Sequence, residues 1–159
     1  MLFYPGFAYV FLILLTSCSL FFNPIIPDEL EPYVDAFIYE GAKRGVHVNK
    51  ERIIVEFKSC YELGASARGG SNVLTRYKVK ICEYRWFAEW NEDQRTYVMF
   101  HELGHAALGR GHRNDTVMTP DMGMRYVSIM ADGKPYYTTH PEHNHFRAYY
   151  DEYMDELFK

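Results

Sequence analysis

The chain has 159 residues, 48% hydrophobic and 24% charged, with 17 Lys and Arg against 21 Asp and Glu for a net charge of −4. That is the length of one domain able to bury its own core, and 14 Tyr, 11 Phe and 2 Trp exclude a disordered chain. The charge balance offers no basic footprint for nucleic acid, and the composition excludes collagen-like, coiled-coil and multi-pass membrane architectures.

Residues 2–15 (LFYPGFAYVFLILL) are almost free of polar side chains. This run of 14 is shorter than the ~20 residues a bilayer-spanning helix needs, and it fits the apolar region of a signal peptide. Leu15-Thr16-Ser17-Cys18 follows, an aliphatic residue, two small residues and a cysteine. It resembles the lipobox of bacterial lipoproteins. That resemblance implies a signal peptide over residues 1–17, acylation of Cys18, and a lipid-anchored protein of the bacterial cell envelope. Ser19 behind the cysteine implies outer-membrane sorting, with the domain periplasmic or surface-exposed. Residues 1–6 depart from the usual pattern in carrying no Lys or Arg. Several acyl chains hold a protein at a membrane where one does not. Cys60 and Cys82 remain. In an exported protein they can form a disulfide or stay as two buried thiols, and spacing leaves both open.

Residues 18–27, with the Pro-bounded Asn23-Pro24-Ile25-Ile26-Pro27, read as a linker, and residues 28–159 as one domain. Asp28 reads as the N-cap of a first helix, with Glu29 and Glu31 in the first turn and Pro32 tolerated there. Leu30, Val34, Phe37, Ile38 and Gly41 form its apolar stripe. Lys43, Arg44 and Gly45 suit its end. Residues 52–57 (RIIVEF) read as a largely buried strand. The Gly- and Ser-rich residues 64–72 (GASARGGSN) read as a loop.

Residues 73–87 carry strand signals, strongest over residues 77–84, where apolar and charged residues alternate as in an edge or half-exposed strand. Asn91 with Gln94 predicts a capping pair that opens a helix over residues 92–108, its buried stripe Tyr97, Phe100, Leu103, Ala107 and Leu108. Irregular chain follows to about residue 141, and residues 144–158 read as a closing helix. The expected fold class is α+β: a small mixed sheet packed on the N-terminal helix and the 92–108 helix, followed by a C-terminal helix.

The chemistry concentrates in Phe100-His101-Glu102-Leu103-Gly104-His105 and the Gly109-Arg110-Gly111-His112 behind it. On a helix, residues four apart lie within about 40° of one face. His101 and His105 can therefore bind one tetrahedral Zn²⁺, with Glu102 flanking that face. A straight helix cannot place a third ligand. Gly109 and Gly111 let the chain leave through positive φ and bring His112 back from outside. Three protein ligands leave a position for water, the mark of a catalytic zinc site. His140, His143 and His145 are rival third ligands, as are Glu142 and Glu152.

This stretch resembles the metzincin metallopeptidases, whose pattern is HExxHxxGxxH followed by a Met-containing turn. Here it is one residue longer, HExxHxxxGxxH, as in small bacterial lipoproteins of this type. The resemblance implies a compact metzincin-like domain with His101, His105 and His112 as zinc ligands and Glu102 as catalytic residue. It also implies a methionine beneath the metal. Met130, in Ser128-Ile129-Met130, is preferred to Met118 for that turn. Tyr136 or Tyr137 is a candidate to stabilise the oxyanion. The implied activity is a zinc-dependent metalloendopeptidase in which Glu102 activates a metal-bound water. An edge strand over residues 79–84 would align a protein or peptide substrate. The implied protein is a monomer, membrane-held through its lipid anchor, with no nucleic-acid partner. Two alternatives use the same residues: a zinc hydrolase of another amide, such as a cell-wall crosslink, and a non-catalytic zinc-binding surface lipoprotein. An intact Glu102 argues against the second.

Overall fold

The computed structural model describes residues 23–65, 67–72, 76–120, 122–132 and 144–159. Leu30, Val34 and Phe37 are fully buried, which draws α1 (Glu31–Lys43) onto the core. Asp28 is not its cap. Leu30 occupies that place, and the Pro27 carbonyl accepts the N–H groups of Leu30 and Glu31 at 2.9 and 3.1 Å. A prolyl carbonyl thus replaces the expected side-chain cap.

Asn49 caps a 3₁₀ turn over Lys50–Arg52 that leads into β1 (Ile53–Lys58). Ile25, in the predicted linker, bridges to Ile54 in parallel; its N–H donates to Ile53 O at 3.1 Å and its carbonyl accepts from Val55 at 2.8 Å. After the short α2 (Cys60–Leu63), β2 (Ala67–Asn72) runs antiparallel to β3 (Arg76–Cys82), which is itself parallel to β1. The sheet order is β1-β3-β2.

Two expectations fail here. Residues 64–72 are not all loop, because residues 67–72 form β2. And the strand read as an edge is central, with Val79 opposite both Val55 and Gly69. The alternation in β3 reports one covered face rather than an edge. Val79 and Ile81 are fully buried on that face, while Lys78 pairs with Glu56 of β1 at 3.0 Å on the other.

Cys60 and Cys82 form a disulfide, with Cα atoms 4.7 Å apart. It joins the ends of β1 and β3, whose register pairs Lys58 with Cys82. The chain does not continue as strand to Phe87. It turns into one π-helical turn, Arg85–Glu89, that buries Trp86.

α3 (Glu92–Leu108) has the bounds and the reciprocal Asn91–Gln94 capping box read from the sequence. Its buried side includes Tyr97, Phe100 and Leu103 as expected, and Met99 and Ala106 rather than Ala107 and Leu108. Phe37 meets Phe100 edge-on at 5.4 Å and Phe158 at 5.0 Å, tying α1, α3 and the chain end together. A hairpin follows, β4 (Thr116–Thr119) antiparallel to β5 (Gly123–Tyr126). The closing helix is two pieces, α4 (His145–Ala148) and α5 (Tyr150–Leu157), broken at Tyr149. The whole is α+β, with α3 lying against β2 and β3. Among the described residues no helix is long and apolar enough to cross a membrane.

Candidate metal centre

α3 stacks His101 and His105 one turn apart with their Nε2 atoms 3.0 Å from each other. Gly109 then takes φ 66°, and both it and Arg110 donate their N–H groups to the Gly104 carbonyl, which ends the helix. The chain doubles back far enough that His112 Nε2 lies 3.0 Å from His105 Nε2. A ligand atom from each of the three histidines lies within 4.8 Å of the others.

The opposite ring nitrogens decide what this convergence can do. His101 Nδ1 lies 2.8 Å from the Ile129 carbonyl and His105 Nδ1 2.6 Å from the Arg110 carbonyl. Carbonyl oxygens only accept, so both Nδ1 atoms carry the proton and donate. The Nε2 atoms then face each other with bare lone pairs. His112 Nδ1 faces the Asp132 carboxylate at 3.6 Å. Burial, and then the neighbouring imidazoles, hold His101 down to about 4, against the Ile129 hydrogen bond. Burial lowers His105 as well. Ring nitrogens without protons cannot hydrogen-bond lone pair to lone pair, and a cation shared between them would satisfy both. Bonds of 2.0–2.1 Å to one tetrahedral ion would set such nitrogens about 3.3 Å apart, close to the 3.0 Å that separates His105 Nε2 from each of the other two. Nδ1 groups held by oxygen acceptors are the usual second layer of a histidine metal site. The donor set fits a divalent metal ion.

Glu102 lies beside the cluster and is 8% exposed. Burial pushes its carboxyl up to about 7, opposed by a hydrogen bond from the Gly69 N–H and by the charge of Arg68. Gly69 can be nothing larger, because a Cβ there would overlap the Glu102 backbone carbonyl. The glycines that read as a loop are therefore a strand pressed against α3. Gly69 and Gly70, Trp90, Tyr97, Glu102 and the three histidines line one cleft of about 780 Å³.

Met130 is fully buried, and a Cβ on Gly104 would meet its Sδ at 2.6 Å. It therefore packs on the histidine-bearing part of α3. Met118 is 72% exposed on β4. Of the rival ligands, His145 is turned away, its Nε2 at 2.9 Å from the Met122 carbonyl, and Glu152 pairs with Arg125. His140, Glu142, His143, Tyr136, Tyr137 and Cys18 lie outside the described residues.

Sequence reasoning missed β2, Asp132 and Glu156. The carboxylate of Glu156 binds Arg110, Arg113 and Ser128. Only the Gly69-Gly70 pair carried a signal, and it reads equally as a loop. No protein-family model, curated protein or solved structure matches this chain.

Proposed function

We propose that the protein is a zinc-dependent metalloendopeptidase of metzincin-like type. The observation that carries this reading is the convergence of three bare imidazole Nε2 atoms beside a buried carboxylate, in a cleft bordered by a sheet edge. His101, His105 and His112 would hold the zinc, and the oxygen acceptors facing their Nδ1 atoms would orient the rings with Nε2 toward it. Zinc bound there supplies Lewis acidity, polarising a scissile carbonyl and acidifying a water near it. Glu102 takes the proton from the attacking water and delivers it to the leaving nitrogen. Its raised affinity for a proton suits the second task as well as the first.

The substrate strand assigned to residues 79–84 is replaced in this reading by β2, the sheet edge that borders the cleft. Ile25 already bridges to β1 on the other side. An extended peptide can pair with the outer edge of β2, and Gly69 and Gly70 put no side chain in its way. The lipobox resemblance at Cys18 supports a protein lipid-anchored in the bacterial cell envelope, by preference the outer membrane.

The test combines metal analysis with cleavage-site mapping on a denatured protein mixture. One zinc per chain and endoproteolytic cuts that vanish with a chelator are expected. Zinc without cleavage of any protein, but with release of cell-wall fragments, would transfer the activity to another amide. Zinc without either would leave a binding protein.

A further inference from the structure

The three metal-facing histidines are held by different means, and one distant carboxylate binds residues that adjoin the supports of all three. His101 and His105 ride on a capped helix with a packed side. His112 sits in chain of no regular structure, residues 111–115, all of them exposed, and its own side chain is 44% exposed. Apolar packing therefore does not place it. Hydrogen bonds must.

Three of those bonds converge on Glu156 of α5, whose side chain is 8% exposed. Its Oε1 accepts from Arg110 and, at 3.0 Å, from Arg113. Its Oε2 accepts from the Ser128 hydroxyl. Each partner adjoins a group that sets a histidine. The Arg110 carbonyl receives the His105 Nδ1–H. Arg113 follows His112 directly, and its N–H donates to the Met130 carbonyl at 2.8 Å. Ser128 precedes Ile129, whose carbonyl receives the His101 Nδ1–H, and its Oγ also accepts the Met130 N–H at 3.0 Å.

We propose that Glu156 is a positioning residue of the metal centre. From α5 it clamps the chain on both sides of His112 to the Ser128–Met130 segment, and so fixes the three imidazoles in one cation-binding geometry. Two guanidinium groups and a hydroxyl on one carboxylate are charge-assisted bonds that neither a loop nor a neutral side chain would reproduce. Loss of that charge frees Arg110 and leaves the Arg113 guanidinium to Asp115 alone, at 2.9 Å. His112 then keeps the backbone bond from Arg113 to Met130 but loses the side-chain tie to α5, and the carbonyl behind His105 moves with Arg110.

The inference rests on the metal-site reading, and the experiment separates the two. Zinc affinity is measured by competition with a chromophoric chelator, at a temperature where the metal-free proteins are folded by circular dichroism. Glu156→Gln should weaken zinc binding about 10- to 100-fold and alter the visible d–d bands of the Co²⁺-loaded protein. Ser128→Ala, which removes one of the bonds, should weaken it less, about 3- to 10-fold by the same reasoning. Glu40→Gln is the control for a merely structural role. That carboxylate is equally buried and binds Lys43 and Arg44 at the end of α1, and its loss should lower the melting temperature without changing zinc affinity. Wild-type affinity and an unchanged Co²⁺ spectrum in Glu156→Gln would overturn the proposal even if stability fell. Should Glu156→Gln not fold, unchanged affinity in Ser128→Ala would overturn it equally. A wild-type protein that holds no zinc, indistinguishable from His112→Ala, would instead overturn the metal site itself.

Discussion

Helix α3 and the chain that returns from it deliver histidines to the same point by different physical means. α3 carries Met99, Phe100 and Leu103 fully buried beneath its histidines, so packing sets its position. The returning chain, residues 109–132, exposes most of its first half and is held by Arg110, Arg113, Ser128 and Asn114 through hydrogen bonds. Packing stabilises the fold whether or not metal is bound. Polar ties orient a ligand while contributing little to the core. The difference teaches that substitutions in the two regions should separate stability from metal affinity.

The largest effect tests the chemistry rather than the scaffold. Glu102→Gln should lower turnover by about 10²- to 10⁴-fold while keeping the zinc content of the wild type, as read by metal analysis beside peptide cleavage. Next, His112→Ala should weaken zinc binding by more than about 100-fold, beyond the loss expected from a second-layer change. Its metal-free melting temperature should stay near that of the wild type, because the side chain is 44% exposed. A large drop in that temperature would erase the contrast between the regions. Leu103→Ala should do the reverse. It empties a fully buried site in α3 and should cost about 2–5 kcal/mol in urea unfolding of the metal-free protein. Smallest is the methionine pair. Met130→Leu, nearly volume-conserving, should cost under about 1.5 kcal/mol. Met118→Ala, on an exposed strand, should stay within about 0.5 kcal/mol. A larger penalty at Met118 than at Met130 would reverse their assigned places.

What could be read in advance divides along the same line. The bounds of α3 were legible because a capping box and a terminal glycine are local signals. His112 was legible because the glycines before it explain how the chain returns. The strand β2 was not, since Gly69 is required by a close approach to Glu102 that lies far away in sequence. The edge assignment of β3 failed because alternation describes a face, and strand order is settled by neighbours. Glu156 was invisible: its partners lie 28 to 46 residues away and carry no periodicity. Tyr149 broke the last helix at a point where the apolar spacing continues across it.

The Ile25 bridge has a mechanical consequence. The segment lies parallel to β1 and is held by two backbone hydrogen bonds, Ile25 N–H to Ile53 O and Val55 N–H to Ile25 O. A pull on the chain from its N-terminal side therefore loads those bonds in shear along the strand. The force enters the sheet at β1, the strand farthest from β2 and the cleft. It reaches α1 only after the bridge has yielded. A domain dragged by its leading segment would thus load first the edge of its sheet that lies opposite the cleft.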